Sequence, residues 1–332
     1  MTVSKEDARA LEHRADRAAE RLAEAKGSIR KTIIGLDEVV ERALAVILSG
    51  GHGLLVGAPG LAKTKLVHTL AVVTGLDDKR VQFTPDLMPA DILGSEVLEE
   101  SEGGKRAFRF LPGPVFCRLL MADEINRASP RTQAALLQAM QEGFVTVAGA
   151  RHDLPRPFHV LATQNPIEQE GTYPLPEAQL DRFLMQIDVP YPSREDERAI
   201  LLATTGVEEA QSHTVLSAEE ILDLQTLVRA MPVGEETLNA VLALLERARP
   251  DTSPDGEVKD GVAWGPGPRA GQALMLAVRA RALLQGRLAP SSADVAALAE
   301  PVLKHRMALT FAAKADGLKL ETLIARLAAE AA

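Results

Sequence analysis

Apolar residues recur every three or four positions at the start of the chain, between about residues 4 and 26. They are Ala8, Leu11, Ala15, Ala18, Leu22 and Ala25, with charged residues on the other faces. This spacing predicts an amphipathic helix, which either packs against the rest of the chain or pairs with a partner as a short coiled coil. After a break near Gly35, a second helix is predicted from about Asp37 to Ser49.

From residue 53 to about residue 190, short apolar runs alternate with helical stretches. The runs predicted to be strands are residues 54–56, 80–83, 119–122, 158–162 and 184–189. Alternating strands and helices predict an α/β fold, here an αβα core in which helices cover both faces of a five-stranded parallel sheet. Because ligands bind beyond the carboxyl ends of such strands, polar groups at or near strand ends are expected to converge. They are the loop at Gly57, Asp123, Asn165 and the region of Arg182.

Two β-hairpins are predicted within this region, near residues 96–110 and 144–154. In each of them, a glycine-containing turn separates two β-prone runs, which is the usual pattern of a hairpin. They are either surface decoration or loops that contact a substrate, and the pattern alone fits both.

Beyond Pro190-Tyr191-Pro192 the pattern is helical and shows no strands. Residues 217–220 form a capping box, a sequence that starts helices. The predicted helices are residues 217–230, 235–249, 269–285, 291–309 and 317–330, with a loop rich in Pro, Gly and Asp at 250–268. We therefore divide the chain into an N-terminal helix (1–28), an α/β domain (29–192) and an all-helical domain (193–332).

Composition narrows the classes of protein that fit. The 332 residues suffice for two domains. The 37 basic and 46 acidic residues give a net charge of −9, which disfavours nucleic acid as a partner. No apolar run is long enough to span a membrane and no signal peptide begins the sequence, so a cytoplasmic protein is expected. Cys117 is the one cysteine, which excludes an intramolecular disulfide and a thiolate metal cluster.

The loop after the first predicted strand carries the clearest chemistry. Its residues are Gly57, Ala58, Pro59, Gly60, Leu61, Ala62, Lys63 and Thr64, and Lys65 continues into a helical pattern. A glycine loop that joins a strand to a helix and ends in Lys-Thr is the pattern of a phosphate-binding P-loop. Backbone N–H groups and the helix N-terminus would surround the phosphates, Lys63 would reach the β and γ phosphates, and Thr64 would bind Mg²⁺.

Position 62 departs from the usual P-loop pattern, in which glycine precedes the lysine. Alanine is the smallest substitute, but its Cβ disfavours a positive φ. From the loop alone, an ordinary glycine turn and a nucleoside triphosphate site both remain open.

Asp123 and Glu124 end an apolar strand. In a P-loop ATPase the first carboxylate would hold Mg²⁺ and the second would polarise the attacking water. Acidic residues also favour helix N-termini for electrostatic reasons alone. Within an α/β unit that contains a P-loop, the two motifs are expected to meet across neighbouring strands.

Four further residues have candidate roles, and for three of them an ordinary structural interpretation also remains open. The Asn165 amide would hydrogen-bond the attacking water or the γ-phosphate, or the Asn-Pro sequence is an ordinary turn. Arg182 would be an arginine finger that stabilises transition-state charge, or it forms an ion pair. Arg269 opens a helix, where a cation is unfavourable, and that penalty points to a contact with phosphate. Ile34 walls an adenine ring or belongs to the core.

With these motifs in this order, the sequence resembles the MoxR family of AAA+ ATPases over about residues 30–310. Besides the P-loop, the resemblance rests on residues 82–94 (QFTPDLMPADILG), 113–116 (GPVF), 123–128 (DEINRA), 133–142 (QAALLQAMQE), 162–166 (ATQNP), 177–183 (EAQLDRF) and 268–270 (PRA). These strings are more specific than a P-loop. The resemblance implies an AAA+ P-loop NTPase core followed by an all-helical lid domain, and alanine at position 62 is common in the family.

The resemblance also implies roles by position. Lys63 and Thr64 match Walker A, Asp123 and Glu124 match Walker B, Asn165 matches sensor 1, Arg182 matches an arginine finger that acts on a neighbouring subunit's ATP, and Arg269 matches sensor 2. The two predicted hairpins match the helix-2 insert and the pre-sensor-1 insert of this clade.

The function implied by the resemblance is ATP hydrolysis, with Mg²⁺, at the subunit interfaces of a homohexameric ring. Turnover would drive the inserts and the lid against a client complex, together with a separate protein that bears a von Willebrand factor A domain. Metal insertion into enzymes is one recurrent outcome. Alternatives are a magnesium-chelatase-like motor subunit, a slowly hydrolysing assembly scaffold and a nucleic-acid remodeller. Intact Glu124 and Arg182 argue against the scaffold, and the acidic composition argues against the remodeller.

Overall fold

The structure is a computed structural model of the chain, which describes residues 5–100, 106–167, 171–206 and 211–332. Its α-helices are α1 (Lys5–Arg30), α2 (Asp37–Leu48), α3 (Lys63–Thr74), α4 (Pro89–Leu93), α5 (Pro130–Glu142), α6 (Glu177–Leu180), α7 (Arg194–Thr204), α8 (Ala218–Ala230), α9 (Glu235–Arg247), α10 (Gly256–Gly261), α11 (Pro268–Leu284), α12 (Ser292–Leu303), α13 (Phe311–Ala315) and α14 (Leu320–Ala331). Its strands are β1 (Gly53–Val56), β2 (Asp78–Gln82), β3 (Gly94–Glu100), β4 (Arg106–Pro112), β5 (Leu119–Asp123), β6 (Phe144–Val147), β7 (Ala150–Asp153), β8 (His159–Gln164), β9 (Met185–Asp188), β10 (Val262–Trp264) and β11 (Ala308–Leu309). None of the helices within these ranges combines the length and the apolar character that a membrane span needs.

Five strands form the central sheet, in the order β2-β5-β8-β1-β9, and all of their pairings are parallel. The predicted five-stranded parallel sheet is therefore confirmed. The expectation that the P-loop and the carboxylate pair follow neighbouring strands is wrong, because β8 lies between β1 and β5. A crossover connection can return to a near or a distant strand position, and the hydrophobic pattern of a strand does not record which one.

Both faces of the sheet are buried, which explains why its strands are continuous apolar runs. Adjacent residues along a strand point to opposite faces. On β1 and β8, Leu55 and Leu161 belong to one hydrophobic cluster, whereas Leu54 and Val160 belong to another. The first cluster contains α1, α2, α3 and most of the C-terminal helices, and the second contains α4 and α5. Helices therefore cover both faces, as predicted.

The first helix packs against the rest of the chain. Its buried residues Leu22, Ala25 and Ile29 share one hydrophobic cluster with Leu274 of α11 and Ile324 of α14. Of the two interpretations of this helix, the structure supports packing within the chain.

The C-terminal region is helical from α7 onward except for a short ribbon. In that ribbon β10 pairs with β11 in an antiparallel arrangement. The residue pattern predicts a loop at 250–268 and one helix at 291–309, whereas α10 and β10 occupy part of the first range and α12 ends at Leu303. Strands of two or three residues are too short to show an alternating pattern, which is why the ribbon was missed.

The two predicted hairpins are present. The first consists of β3 and β4 and the second of β6 and β7, each paired antiparallel; the turn of the first, at residues 101–105, lies outside the described residues. The hairpins contact each other where the ring of Phe110 stacks on that of His152, with 3.8 Å between the ring centroids.

Candidate nucleotide site

The loop after β1 leads directly into α3. At its start, the N–H of Gly57 donates to the carbonyl of Gln164 on β8, at 3.2 Å. Gly60 has a φ of 82°, which a residue without Cβ adopts easily. Ala62, just before α3, has a φ of 54° and a ψ of 21°, a left-handed conformation that costs an L-residue about 1–2 kcal/mol. Position 62 thus adopts the backbone conformation that glycine usually supplies.

Lys63 turns back into the loop that precedes it. Its Nζ donates to the carbonyl oxygens of Gly57 and Ala58, both at 2.7 Å. Burial lowers the pKa of Lys63, and the nearby charges of Asp123 and Glu124 oppose that shift. The ammonium group is therefore close enough to both carboxylates for their charges to stabilise its protonated form. Thr64 is exposed at the start of α3.

Asp123, the last residue of β5, is held from the two neighbouring strands. Thr163 on β8 donates its hydroxyl to Oδ1 of Asp123 at 2.6 Å. Arg80 on β2 donates from Nε and Nη2 to Oδ2, at 3.1 and 2.5 Å. The carboxylate is therefore fixed in orientation at the carboxyl edge of the sheet, as a ligand for a hard metal ion must be.

Glu124 follows in a left-handed conformation, with a φ of 55° and a ψ of 51°. Its N–H donates to Oγ1 of Thr163 at 2.8 Å, and its Oε2 accepts from Gln82 at 2.6 Å and from Arg127 at 2.9 Å. A non-glycine residue held in this conformation is a form of strain that clusters at functional sites. The two side-chain donors orient the carboxylate.

Asn165 lies between the P-loop and the carboxylates, because it follows β8. Its side chain is buried, and its Oδ1 accepts a hydrogen bond from the N–H of Ile167 at 3.1 Å. The turn and the site residue, which the sequence left as alternatives, are thus compatible: one amide oxygen closes the turn at the centre of the site.

A cleft of about 400 Å³ opens beside the P-loop. Its walls include Lys31, Thr32, Ile33, Ile34, Leu36, Pro59, Gly60, Leu61, Ala62, Lys65, Tyr191 and Leu201. An apolar slot next to a phosphate-binding loop is suited to a flat base ring. Ile34 therefore lies where a residue in contact with adenine would be expected.

Arg182 and Arg269 do not lie with these residues. They line a second cleft of about 290 Å³, here called the arginine cleft, together with Arg229, Arg306 and the residues that precede β1. Arg182 comes shortly before β9, which runs parallel to β1, so it lies at the amino edge of the sheet. The P-loop follows the carboxyl end of β1, and a strand of four residues separates the two edges by more than ~10 Å.

The expectation that the region of Arg182 converges with the other strand ends is therefore wrong, because Arg182 precedes its strand. Its Nη1 donates to the carbonyl of Leu137 on α5 at 2.6 Å. Among the described residues, its buried Nε has no hydrogen-bond partner. Arg269, in the first turn of α11, lies 3.7 Å from the carboxylate of Asp181.

Sequence reasoning missed the groups that orient the two carboxylates. Thr163 is a polar residue near the carboxyl end of an otherwise apolar strand. Its position could therefore have identified it as a candidate site residue from the sequence. Arg80 and Gln82 are two residues apart on β2, so they point to the same side, where Arg80 also donates to Gln82 at 2.9 Å. Which strand they would face was not predictable without the strand order.

Comparison with known proteins agrees with this geometry. Residues 52–185 match the ATPase family associated with various cellular activities (AAA), and residues 256–327 match the AAA lid domain. Chaperone MoxR1 of Mycobacterium tuberculosis is 44% identical over 299 residues, which are 90% of this chain and 78% of that protein. The chain belongs to the MoxR family of AAA+ ATPases.

Two further matches, one sequence relative and one solved structure, extend over most of the chain. Protein MoxR of Methylorubrum extorquens is 32% identical over 300 residues and covers 85% of each chain. A crystal structure of a candidate ATPase from Cytophaga hutchinsonii superposes with a TM-score of 0.88 at 34% identity, covering 97% of each chain. The predicted fold, a AAA+ core followed by a helical lid, is therefore confirmed.

Proposed function

We propose that this MoxR-family chain hydrolyses ATP in a homohexameric ring, with ATP and Mg²⁺ bound where two subunits meet. The observation that supports the ring is the division of the site. One chain presents its P-loop, its carboxylate pair and Asn165 at the carboxyl edge of the sheet, whereas Arg182 and Arg269 lie at the amino edge. A ring in which each subunit lends its arginines to the neighbour's nucleotide would unite the two halves.

In this proposal, the residues at the carboxyl edge have separate tasks. Lys63 exchanges its hydrogen bonds to the loop carbonyls for phosphate oxygens. Thr64 and Asp123 hold Mg²⁺, which supplies neutralising charge to the phosphates. Glu124 polarises the attacking water from the orientation that Gln82 and Arg127 give it.

We further propose that turnover moves the hairpins and the lid against a client protein complex, together with a separate protein that contains a von Willebrand factor A domain. The chaperone name of the Mycobacterium tuberculosis relative supports a protein client. So does an exposed apolar pair on the first hairpin, Leu98 opposite Phe108, with 53% and 71% of their surfaces exposed. Metal insertion is one form that activation of such a client would take.

The substitution Glu124→Gln tests the ATPase proposal. We expect ATP binding to persist while turnover falls at least ~10²-fold, the usual effect of losing a catalytic base. Steady-state phosphate release and equilibrium nucleotide binding measure the two quantities. The same variant, held in its ATP-bound form, is expected to retain the client during affinity capture.

Lys63→Ala is the matched control, since it is expected to lose ATP binding and client capture together. A correctly assembled ring of the unsubstituted chain that releases no phosphate, with or without client, would refute the ATPase proposal. If Glu124→Gln hydrolyses ATP at the original rate, the role given to Glu124 is wrong.

A further inference from the structure

Arg306 belongs to the lid and has no role in the function proposed above. It ends a short 3-10 turn after α12, Lys304–Arg306, and only 2% of its surface is exposed. Its Nε donates to Oδ1 of Asp181 at 2.7 Å. Its two terminal nitrogens donate to the backbone carbonyls of Asp181, Phe183, Leu184 and Val302 at 2.6–3.1 Å. A guanidinium has five N–H donors, so every one of them is used.

Four of these five hydrogen bonds go to residues 181–184, the segment that carries Arg182. His305 adds another, because its Nε2–H donates to the carbonyl of Phe183 at 3.0 Å. Burial lowers the pKa of Arg306, whereas Asp181 opposes that shift. Two consecutive lid residues therefore hold the backbone on both sides of Arg182.

Asp181 connects this contact to the second arginine of the proposed site. Its Oδ1 accepts from Arg306, while its Oδ2 lies 3.7 Å from Nη1 of Arg269. The Arg269 side chain is 49% exposed, against 3% for Arg306. An exposed, long ion pair is weak, so Arg269 can leave Asp181 for a phosphate while the buried contact to Arg306 remains.

We propose that Arg306 and Asp181 are positioning residues that fix the lid to the arginine finger of the same subunit. They fix the backbone that carries Arg182 and keep Arg269 beside it until it reaches a phosphate, so that both arginines reach the neighbouring subunit's nucleotide from one side. A misplacement of about 1 Å in a group that contacts the reacting phosphate costs as much as 10²-fold in rate. This inference rests on the proposed function, in which the two arginines act between subunits.

A pair of complementary subunits isolates this effect. Glu124→Gln subunits have an inactive site but an intact arginine cleft, whereas Arg182→Ala subunits have an intact P-loop site but no arginine finger. In mixed rings, ATP is hydrolysed where the intact P-loop site of an Arg182→Ala subunit faces the intact arginine cleft of a Glu124→Gln neighbour. The ATPase rate of the mixed ring therefore depends on the arginine cleft of the Glu124→Gln subunit and not on that of the Arg182→Ala subunit.

We add Arg306→Lys to the Glu124→Gln subunit, which keeps the charge but loses the fork of donors, and Asp181→Asn in a parallel variant. Each mixture is expected to lose about 10- to 100-fold in kcat relative to the reference pair, with KM unchanged. ATP affinity of the doubly substituted subunit is expected to stay the same. The side chain of Asp181 is 21% exposed, against 3% for Arg306, so Asp181→Asn disturbs the buried core less. It therefore provides the test if the Arg306→Lys variant does not fold.

Arg287→Lys on the Glu124→Gln subunit is the control. Arg287 also pairs with a buried lid carboxylate, Asp294, at 2.6 Å, but it does not line the arginine cleft. Its mixture is expected to match the reference pair. Full activity with both Arg306→Lys and Asp181→Asn would overturn the positioning role while leaving the proposed function intact. An inactive reference pair, beside an active unsubstituted ring, would overturn both.

Discussion

The two edges of the central sheet are built in opposite ways. At the carboxyl edge, Ala62 and Glu124 hold strained backbone conformations, and Lys63 rests on carbonyls of its own loop. At the amino edge, Arg306 has used every donor that it possesses. The first edge is arranged to exchange its internal contacts for a ligand, whereas the second is arranged to stay fixed. In the ring proposed above, the first edge would receive the nucleotide and the second would present its arginines, held rigidly, to the neighbouring subunit.

Three buried histidines lie along the amino edge. The Nε2–H of His52 donates to the carbonyl of Met140 at 3.1 Å, and the Nδ1–H of His159 donates to the carbonyl of Gly51 at 2.8 Å. His305 supports the backbone at Phe183, as described above. Burial lowers the pKa values of His52 and His305 to about 3 and that of His159 to about 4. Neutral imidazoles therefore make the three hydrogen bonds to backbone carbonyls along this edge.

The substitution Arg182→Ala is expected to have the largest effect of those that test the difference between the two edges. We expect turnover to fall by about 10³-fold, the lower range for loss of an arginine finger, while ATP affinity at the P-loop stays unchanged. In mixed rings, a small share of Arg182→Ala subunits is expected to depress activity more than in proportion, because each one disables its neighbour. Activity that simply averages the two subunit types would contradict the division of the site between edges.

Acid is expected to lower the free energy of unfolding of the whole chain through the three histidines of the amino edge. The folded state keeps these histidines neutral, so between pH 6.5 and their lowered pKa values the unfolded state binds more protons. The free energy of unfolding is therefore highest above pH 6.5. It falls by up to about 1.4 kcal/mol per pH unit for each histidine, down to about pH 4 for His159 and about pH 3 for His52 and His305. Denaturant unfolding at a series of pH values measures it.

The substitution His305→Gln keeps a donor for the carbonyl of Phe183 and is expected to make this pH dependence less steep. An unchanged slope in His305→Gln would show that this histidine does not contribute.

The smallest expected effect is at the carboxyl edge. Ala62→Gly keeps the left-handed conformation but removes its steric cost, which is about 1–2 kcal/mol for a residue with a Cβ. The extra conformational entropy of glycine in the unfolded chain opposes this gain by about 0.5–1 kcal/mol. We expect a net stabilisation between about 0 and about 1.5 kcal/mol, measured by denaturant unfolding. The reciprocal change Gly60→Ala, at a φ of 82° with open space around it, should destabilise by a similar amount. A destabilised Ala62→Gly variant would contradict the strain assigned to this loop.

The chemistry at the carboxyl edge was predictable because it is local. A loop of eight consecutive residues contains Lys63 and its glycines, and Asp123 and Glu124 directly follow an apolar run. The amino edge was not predictable in the same way. Nothing in the pattern around Arg306 indicates that it packs on residues more than 100 positions earlier in the chain. Such contacts depend on strand order and on the packing of the lid.

The position of Arg182 shows a further limit. The sequence shows that Arg182 has polar neighbours and lies close to a predicted strand. The direction of that strand determines at which edge of the sheet Arg182 lies. A residue before a parallel strand and a residue after one lie at opposite edges, although both are described as strand ends. The resemblance to the family supplied a trans role for Arg182 that the residue pattern alone did not contain.

The shared hydrophobic cluster of α1, α2, α11, α12 and α14 has a consequence for cooperativity. Because the N-terminal helix, the lid and one face of the sheet bury their side chains in one continuous core, none of them can melt without exposing the others. We expect calorimetry to record a single unfolding transition, and two resolved transitions would contradict this.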